Sequence, residues 1–142
     1  MTRFVDQSRG SETTSNGVRV RVEPHVIPEE CDPAHHAYGF SYRITITNEN
    51  DVPVQLETRH WIIVDGNGGR EEVRGDGVIG CQPTLEPGEY FVYTSMCPLA
   101  TPWGTMEGSY RFRRQDDGRT IDVRIDRFIL AAATAAPRPI TT

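Results

Sequence analysis

Between Gly66 and Gly88 the chain concentrates seven of its thirteen glycines, and Gly75-Asp76-Gly77-Val78-Ile79-Gly80 spells G-x-G-x-x-G. In a dinucleotide-binding unit this spacing lets the backbone approach a pyrophosphate, with a following helix N-terminus supplying N–H groups. Here Cys81-Gln82-Pro83 follows, which is a turn, and no β-α-β unit surrounds it. The chemistry that remains is a concave nest of backbone amides that binds an anion between two strands. Arg70 and Arg74, just upstream, offer charge-assisted contacts to phosphate or carboxylate. The candidate ligand-binding residues are therefore Arg70, Arg74, Gly75, Asp76, Gly77, Val78, Ile79 and Gly80. The same glycines also suit a purely architectural role, supplying positive φ at a hairpin; both readings stand at this stage.

Other reactive side chains are scattered. Cys31, His35 and His36 lie in the loop EECDPAHHAY beside three acids, a chemistry suited to zinc or cobalt. The C-x3-H-H spacing matches no zinc pattern, and an exposed polar connection is the expectation. His60, between Arg59 and Trp61, is a polar side chain inside an apolar run and reads as a hydrogen-bonded strand residue. Hydrolysis with Mg²⁺ would require carboxylates such as Asp65, Glu71, Glu72 and Asp76 to converge. No G-x-S-x-G or H-E-x-x-H occurs, so no catalytic residue is assigned. Trp103, between Pro102 and Gly104, suits either rim packing or a partly exposed anchor for a partner.

The elements that must position these residues have a period of two. Val18, Val20 and Val22 alternate with Arg19, Arg21 and Glu23; Tyr38, Phe40, Tyr42, Ile44 and Ile46 do the same. A strand over Val54–Val64 follows the turn Asn48–Pro53, and its upper part, Trp61–Val64, is apolar on both faces, as in a segment covered on both sides. Further strands begin near Tyr90 and Gly104. The last, Thr120–Leu130, switches parity at Asp126-Arg127, the signature of a β-bulge. No window supports a helix of more than a turn or two. About seven to nine antiparallel strands in an all-β sandwich are expected, with a barrel as runner-up, and the absent Cys…Trp…Cys spacing favours a fibronectin type III-like over an antibody-like arrangement. Residues 1–16 read as a loose arm, 17–130 as the folded domain and 131–142, ending AAATAAPRPITT, as a flexible tail.

At 142 residues the chain is about one domain's worth. Its net charge of −5 opposes phosphate backbones, so no nucleic-acid partner is expected. All fifteen basic residues are arginine, which excludes P-loop lysine and Schiff-base chemistry. Three cysteines without C-x-x-C spacing, and no apolar run of membrane-spanning length, point to free thiols in the cytoplasm with no membrane association.

Several spaced blocks together resemble the ApaG family. They are Pro53–Leu56 (PVQL), Arg59–Ile63 (RHWII), Gly66–Gly68 (GNG), Val73–Pro83, Pro87–Ser95 (PGEYFVYTS) and Gly104–Tyr110 (GTMEGSY). The similarity spans about residues 15–132. It implies a fibronectin type III-like sandwich, a link to cobalt and magnesium tolerance in bacteria, and partner-binding use where the domain is appended to eukaryotic proteins. It also implies a pyrophosphate-contacting role for Gly75, Gly77 and Gly80. It supplies no catalytic residue, cofactor or resident metal. The expectation is a binding module for a protein partner or a phosphorylated small molecule, with nucleotide or pyrophosphate hydrolysis, or divalent-metal binding, as alternatives. Self-association as a homodimer stays open.

Overall fold

The computed structural model of the protein describes residues 9–132. The described residues form nine strands arranged in two sheets. The first sheet has the order β1 (Ser11–Ser15), β2 (Val18–Asp32), β3 (Ala37–Asn48), β7 (Tyr90–Leu99). The second has the order β5 (Arg70–Asp76), β4 (Val54–Asp65), β8 (Trp103–Arg114), β9 (Thr120–Ala131), with the short β6 (Thr84–Leu85) also on β4. Every pairing is antiparallel. The only helical turn among the described residues is a 3₁₀ turn at Pro33–His35. The expected all-β, fibronectin type III-like sandwich is what forms.

Alternation drives the stacking. Val18, Val20 and Val22 from β2 and Phe40, Tyr42, Ile44 and Ile46 from β3 are buried, while their alternates face solvent. They meet Trp61, Tyr110, Phe112, Val123, Ile125 and Phe128 of the second sheet. Tyr42 crosses the sandwich to stack edge-on against Trp61, at 5.4 Å between centroids, and tilts onto Phe128 at 5.7 Å. Such edge and tilted geometries suit the aromatic quadrupole.

The bulge expected at Asp126-Arg127 is present: Met106 pairs with Phe128 but Gly108 pairs with Ile125. Inward facing moves from Val123 and Ile125 to Phe128 and Leu130. A second bulge sits at Glu57, between the pairs Leu56–Phe112 and Thr58–Arg111. It turns Arg59, Trp61 and Ile63 inward and Thr58 and His60 outward, so Thr58 does not continue the inner row of Val54 and Leu56 as the simple alternation predicts.

Three further expectations change. Residues 11–15, read as part of a loose arm, form β1, because their backbone pairs with Val18–Val22. Side-chain bonds from Ser11 to Asp126 O and from Asn16 to Asp122 O then fasten this strand to β9. The described strands thus run from Ser11 to Ala131; the rest of the arm, and the tail from residue 133 onward, lie outside the described residues. Trp61–Val64 is fully buried only at Trp61; Ile62, Ile63 and Val64 are partly buried, with Ile63 packed against the core. The glycine-rich region is interrupted by a strand, β5, which holds Gly75, while the other glycines of the stretch stand in the turns on either side.

Candidate functional site

The glycine motif straddles the end of β5. Gly75 pairs with Arg59 of β4, and Asp76 with Thr58. Gly77, at φ +61°, leaves the strand and donates its amide to Glu57 O. Val78 drops into the core, 1% exposed. Ile79 (φ +42°) and Gly80 (φ +76°) then make a tight turn closed by reciprocal bonds between Val78 and Cys81. Two successive positive φ values are the type I′ pattern. The amides of Gly77, Val78 and Cys81 all donate to backbone carbonyls, so these three are engaged in architecture.

Arg59 explains the glycine at 75. Its Nη1 donates to Asp76 O at 2.8 Å and Gly77 O at 2.9 Å. A Cβ on Gly75 would stand 2.8 Å from its Nη2. The guanidinium is thereby a clamp on the loop.

Of the sequence-derived site residues, Arg74, Gly75 and Asp76 face a common groove, and the others do not. The groove, of about 400 Å³, lies on the outer face of the second sheet and is also lined by Thr58, Arg59, His60, Ser109, Arg111 and Asp122. Register assembles it: His60 sits between Arg74 and Ser109, and Thr58 between Asp76 and Arg111. Arg70 lies further along β5 and donates to Glu72 Oε1 at 2.8 Å, a bond that with the positive charge holds the Glu72 carboxyl below the usual carboxylate range. Val78, Ile79 and Gly80 lie beyond the end of β5 and do not line the groove.

Two arginines in the groove are loosely held. Arg74 approaches Glu72 only at 3.9 Å, and Arg111 approaches Asp122 at 3.4 Å. By contrast Arg114 grips Asp116 with two bonds, at 3.2 and 3.0 Å. His60 Nε2 is buried without a hydrogen-bond partner among the described residues; Glu72 Oε1, at 3.9 Å, is beyond bonding distance. A loose arginine pair flanking an imidazole can take an anion.

The alternative constellations do not assemble. Glu72 and Asp76 are on the outer face of β5 and Glu71 on its inner face, since they pair with Ile62, Thr58 and Ile63 respectively. Asp65 is occupied by the amides of Asn67 and Gly69. His35 pairs with Asp32 at 2.6 Å, and no group of three or more His, Cys, Asp or Glu among the described residues is placed to hold a metal. All three cysteines are free. Burial, with a smaller contribution from Glu71, pushes the Cys97 thiol up to about 11. Burial likewise raises Tyr93 and Tyr110, whose hydroxyls share a hydrogen bond in the core.

A family model for the ApaG domain matches residues 28–114. The chain belongs to the ApaG family. It is 50% identical over 120 residues to Protein ApaG of Anaeromyxobacter dehalogenans, covering 84% of this chain and 94% of that one. Identity to Protein ApaG of Dechloromonas aromatica is 47% over 125 residues, covering 88% and 98%. The crystal structure described as the ApaA protein of Bordetella pertussis superposes with a TM-score of 0.78 at 48% identity, covering 80% of this chain and 92% of that one.

In this ApaG chain the Gly104–Tyr110 block, apart from Ser109, is architecture. Met106 and Tyr110 are core residues, and a Cβ on Gly108 would run into the His60 carbonyl oxygen. Ser109, Arg111 and Asp122 belong to the groove but were not singled out in the sequence. Parity gave no signal for them: Trp61–Val64 is apolar at every position, so the bulge that turns His60 outside leaves no trace in the pattern.

Proposed function

We propose that this ApaG protein is a binding module that takes a phosphorylated small molecule into the groove between β5, β4, β8 and β9. The observation that carries this reading is the pair Arg74 and Arg111, weakly engaged by the protein, on either side of His60 and Ser109. Arginine supplies two parallel N–H donors to a phosphate. Thr58 and Ser109 add hydroxyl donors at the groove floor. Asp76 and Asp122 at the margins disfavour a bare anion, but accept hydrogen bonds from hydroxyl groups, so a phosphorylated polyol fits better than inorganic phosphate. Gly75, Gly77 and Gly80 contribute indirectly, by letting the loop close against Arg59. The link to cobalt and magnesium tolerance would follow if the ligand enters with a divalent counter-ion. The three free thiols agree with a reducing cytoplasmic setting.

Calorimetric titration with pyrophosphate, sugar phosphates and nucleotides, each with and without Mg²⁺, tests the proposal. A saturable signal lost in the double variant Arg74→Ala, Arg111→Ala supports it. No saturable signal with any of these ligands would overturn it, and so would a signal that the double variant leaves unchanged.

A further inference from the structure

Among the described residues, His60 Nε2 is the one buried side-chain nitrogen or oxygen without a hydrogen-bond partner. Folded proteins satisfy nearly all such atoms, so an orphan in a groove calls for a reason. Arg74 stands opposite it on β5 and Ser109 opposite it on β8. Within ion-pair reach lies Glu72, whose Oε1 is 3.9 Å away. The same carboxylate receives Arg70 on Oε1 at 2.8 Å and is approached by Arg74 on Oε2 at 3.9 Å. Arg70, Arg74 and His60 therefore compete for one anion, and of these only Arg70 has bonded it.

We propose that His60 is a proton switch on the groove: its protonated imidazole takes Glu72 and thereby frees Arg74 for an anion. The inference rests on the ligand-groove reading and names the regulation of that same site. In a neutral imidazole, Nε2 is either an N–H short of an acceptor or a lone pair turned toward a carboxylate, and neither is satisfied. A proton taken up from solvent makes both ring nitrogens donors, and Nε2–H then closes on Glu72 Oε1 as a charge-assisted bond. Glu72 stays ionised throughout, because its bond from Arg70 holds the carboxyl below the usual carboxylate range. Its side chain is 41% exposed, which leaves it room to turn.

The charges around His60 set the direction of the response. From β5 come Glu72, Arg74 and Asp76; from β8, Glu107 and Arg111; and from β9, beyond Ser109, Arg124 and Asp122. Glu107 is matched by Arg127 and Arg124 by Asp126, each at 3.0 Å. Asp76 and Asp122 belong to the next row of the sheet, with Thr58 and Arg111 between them. In the empty groove Arg74 and Arg111 oppose a further positive charge on His60, and a bound anion reverses that field. Proton and anion are therefore positively coupled, each tightening the other. Histidine changes charge between about pH 5 and 8, so anion affinity should rise as pH falls through that range.

Calorimetric titration of the full chain with glucose 6-phosphate, pyrophosphate and AMP, at about pH 5.5 and about pH 8, tests the switch. These ligands also change charge over the range, so the readout is the ratio of dissociation constants, His60→Gln over wild type, in which that change cancels. The ratio is expected to be at least about fivefold at the acid end and near one at the alkaline end. Repeating the titration in buffers of different ionisation enthalpy should show proton uptake on binding that His60→Gln reduces. Glu72→Gln releases Arg74 without a proton and should tighten binding about threefold or more at the alkaline end. It carries the test if His60→Gln fails to fold, and unchanged affinity in it then overturns the switch. Binding with the same ratio at both pH values also overturns the switch, while leaving the groove reading intact. No saturable binding of any of the three ligands at either pH sinks the groove reading and the switch with it.

Discussion

The guanidinium of Arg59 fills the space that a side chain on Gly75 would need, with Nη2 2.8 Å from where the Cβ would be. The two residues are directly paired across β4 and β5. Because Arg59 also bonds Asp76 O and Gly77 O, the glycine and the arginine act as one device that closes the loop. Gly75→Ala must displace the guanidinium and break one or both bonds, at about 1–3 kcal/mol. Arg59→Ala leaves the same carbonyls short of donors and should cost a similar amount. The double variant should lose much less than the sum, since the alanine then meets empty space. Urea denaturation of the four proteins measures this coupling, and strict additivity would refute the device.

Ile79 is a β-branched residue at φ +42°, 57% exposed at the tip of the turn. Left-handed backbone costs such a residue about 1–2 kcal/mol. Ile79→Gly or Ile79→Asn should therefore raise stability by about 1 kcal/mol, read as a higher urea midpoint with unchanged m-value. If the same variants weaken ligand binding in the groove, the strain has a functional use; stabilisation without loss of binding makes it incidental.

Asn48 is fully buried and serves three partners. Its Nδ2 donates to Val52 O and Leu85 O, both at 2.9 Å, and its Oδ1 accepts from the Asn50 amide. The side chain thus ties the β3–β4 turn to β6. Asn48→Ala orphans these groups and should cost about 2–4 kcal/mol. Asn48→Asp should cost more at neutral pH, because an acceptor replaces the two donors where carbonyls wait, and should recover as pH falls and the carboxyl takes a proton. Denaturation midpoints at pH 7 and 4.5 distinguish the two variants.

How much of this was legible in the sequence depends on which force decided each feature. The inner rows of β2 and β3, and the bulge at Asp126-Arg127, were readable because burial enforces a period of two and a parity change betrays an extra residue. The Glu57 bulge left no such trace, because Thr58-Arg59-His60 is polar throughout and Trp61–Val64 apolar throughout. That bulge decides which of Arg59 and His60 pairs with Gly75 and which with Arg74 beside the groove. β1 was missed because its SETTS sequence has no apolar face to pattern; its backbone bonds and its hold on β9 place it there. The groove combines four strands, so neither Arg111 nor Asp122 could be tied to Arg74 without the register.

On the acid side, Asp116 is held down to about 2 by its bonds to the Arg114 guanidinium, with smaller help from the Asp117 amide. A folded-state value below the ordinary one near 3.8 gives stability that is present above pH 4 and lost as pH falls through 2. Asp116→Asn should flatten that part of the acid-denaturation curve. The pair is exposed, so added salt should bring the carboxyl titration, followed by NMR, back toward its ordinary value. A titration insensitive to both salt and Arg114→Ala would refute this origin.

On the alkaline side the sign reverses. Burial raises the Cys97 thiol from an ordinary value near 9 to about 11. The unfolded chain therefore loses this proton first, and stability that is complete below pH 9 is lost as pH rises through 11. Tyr42, Tyr93 and Tyr110 are raised in the same direction by burial and steepen the loss. Cys97→Ala should cost stability at pH 7 through the cavity it leaves, yet show a shallower fall between pH 9 and 11. Reactivity gives an independent readout, since the thiolate is the attacking form. Exposed Cys81 should alkylate readily at pH 8, half-buried Cys31 more slowly, and Cys97 only as fast as the protein opens. Adding Gly75→Ala, which lowers stability, should then accelerate labelling of Cys97 without changing that of Cys81. Equal labelling of Cys97 and Cys81 in the native protein would mean that the β7 edge opens independently of the core.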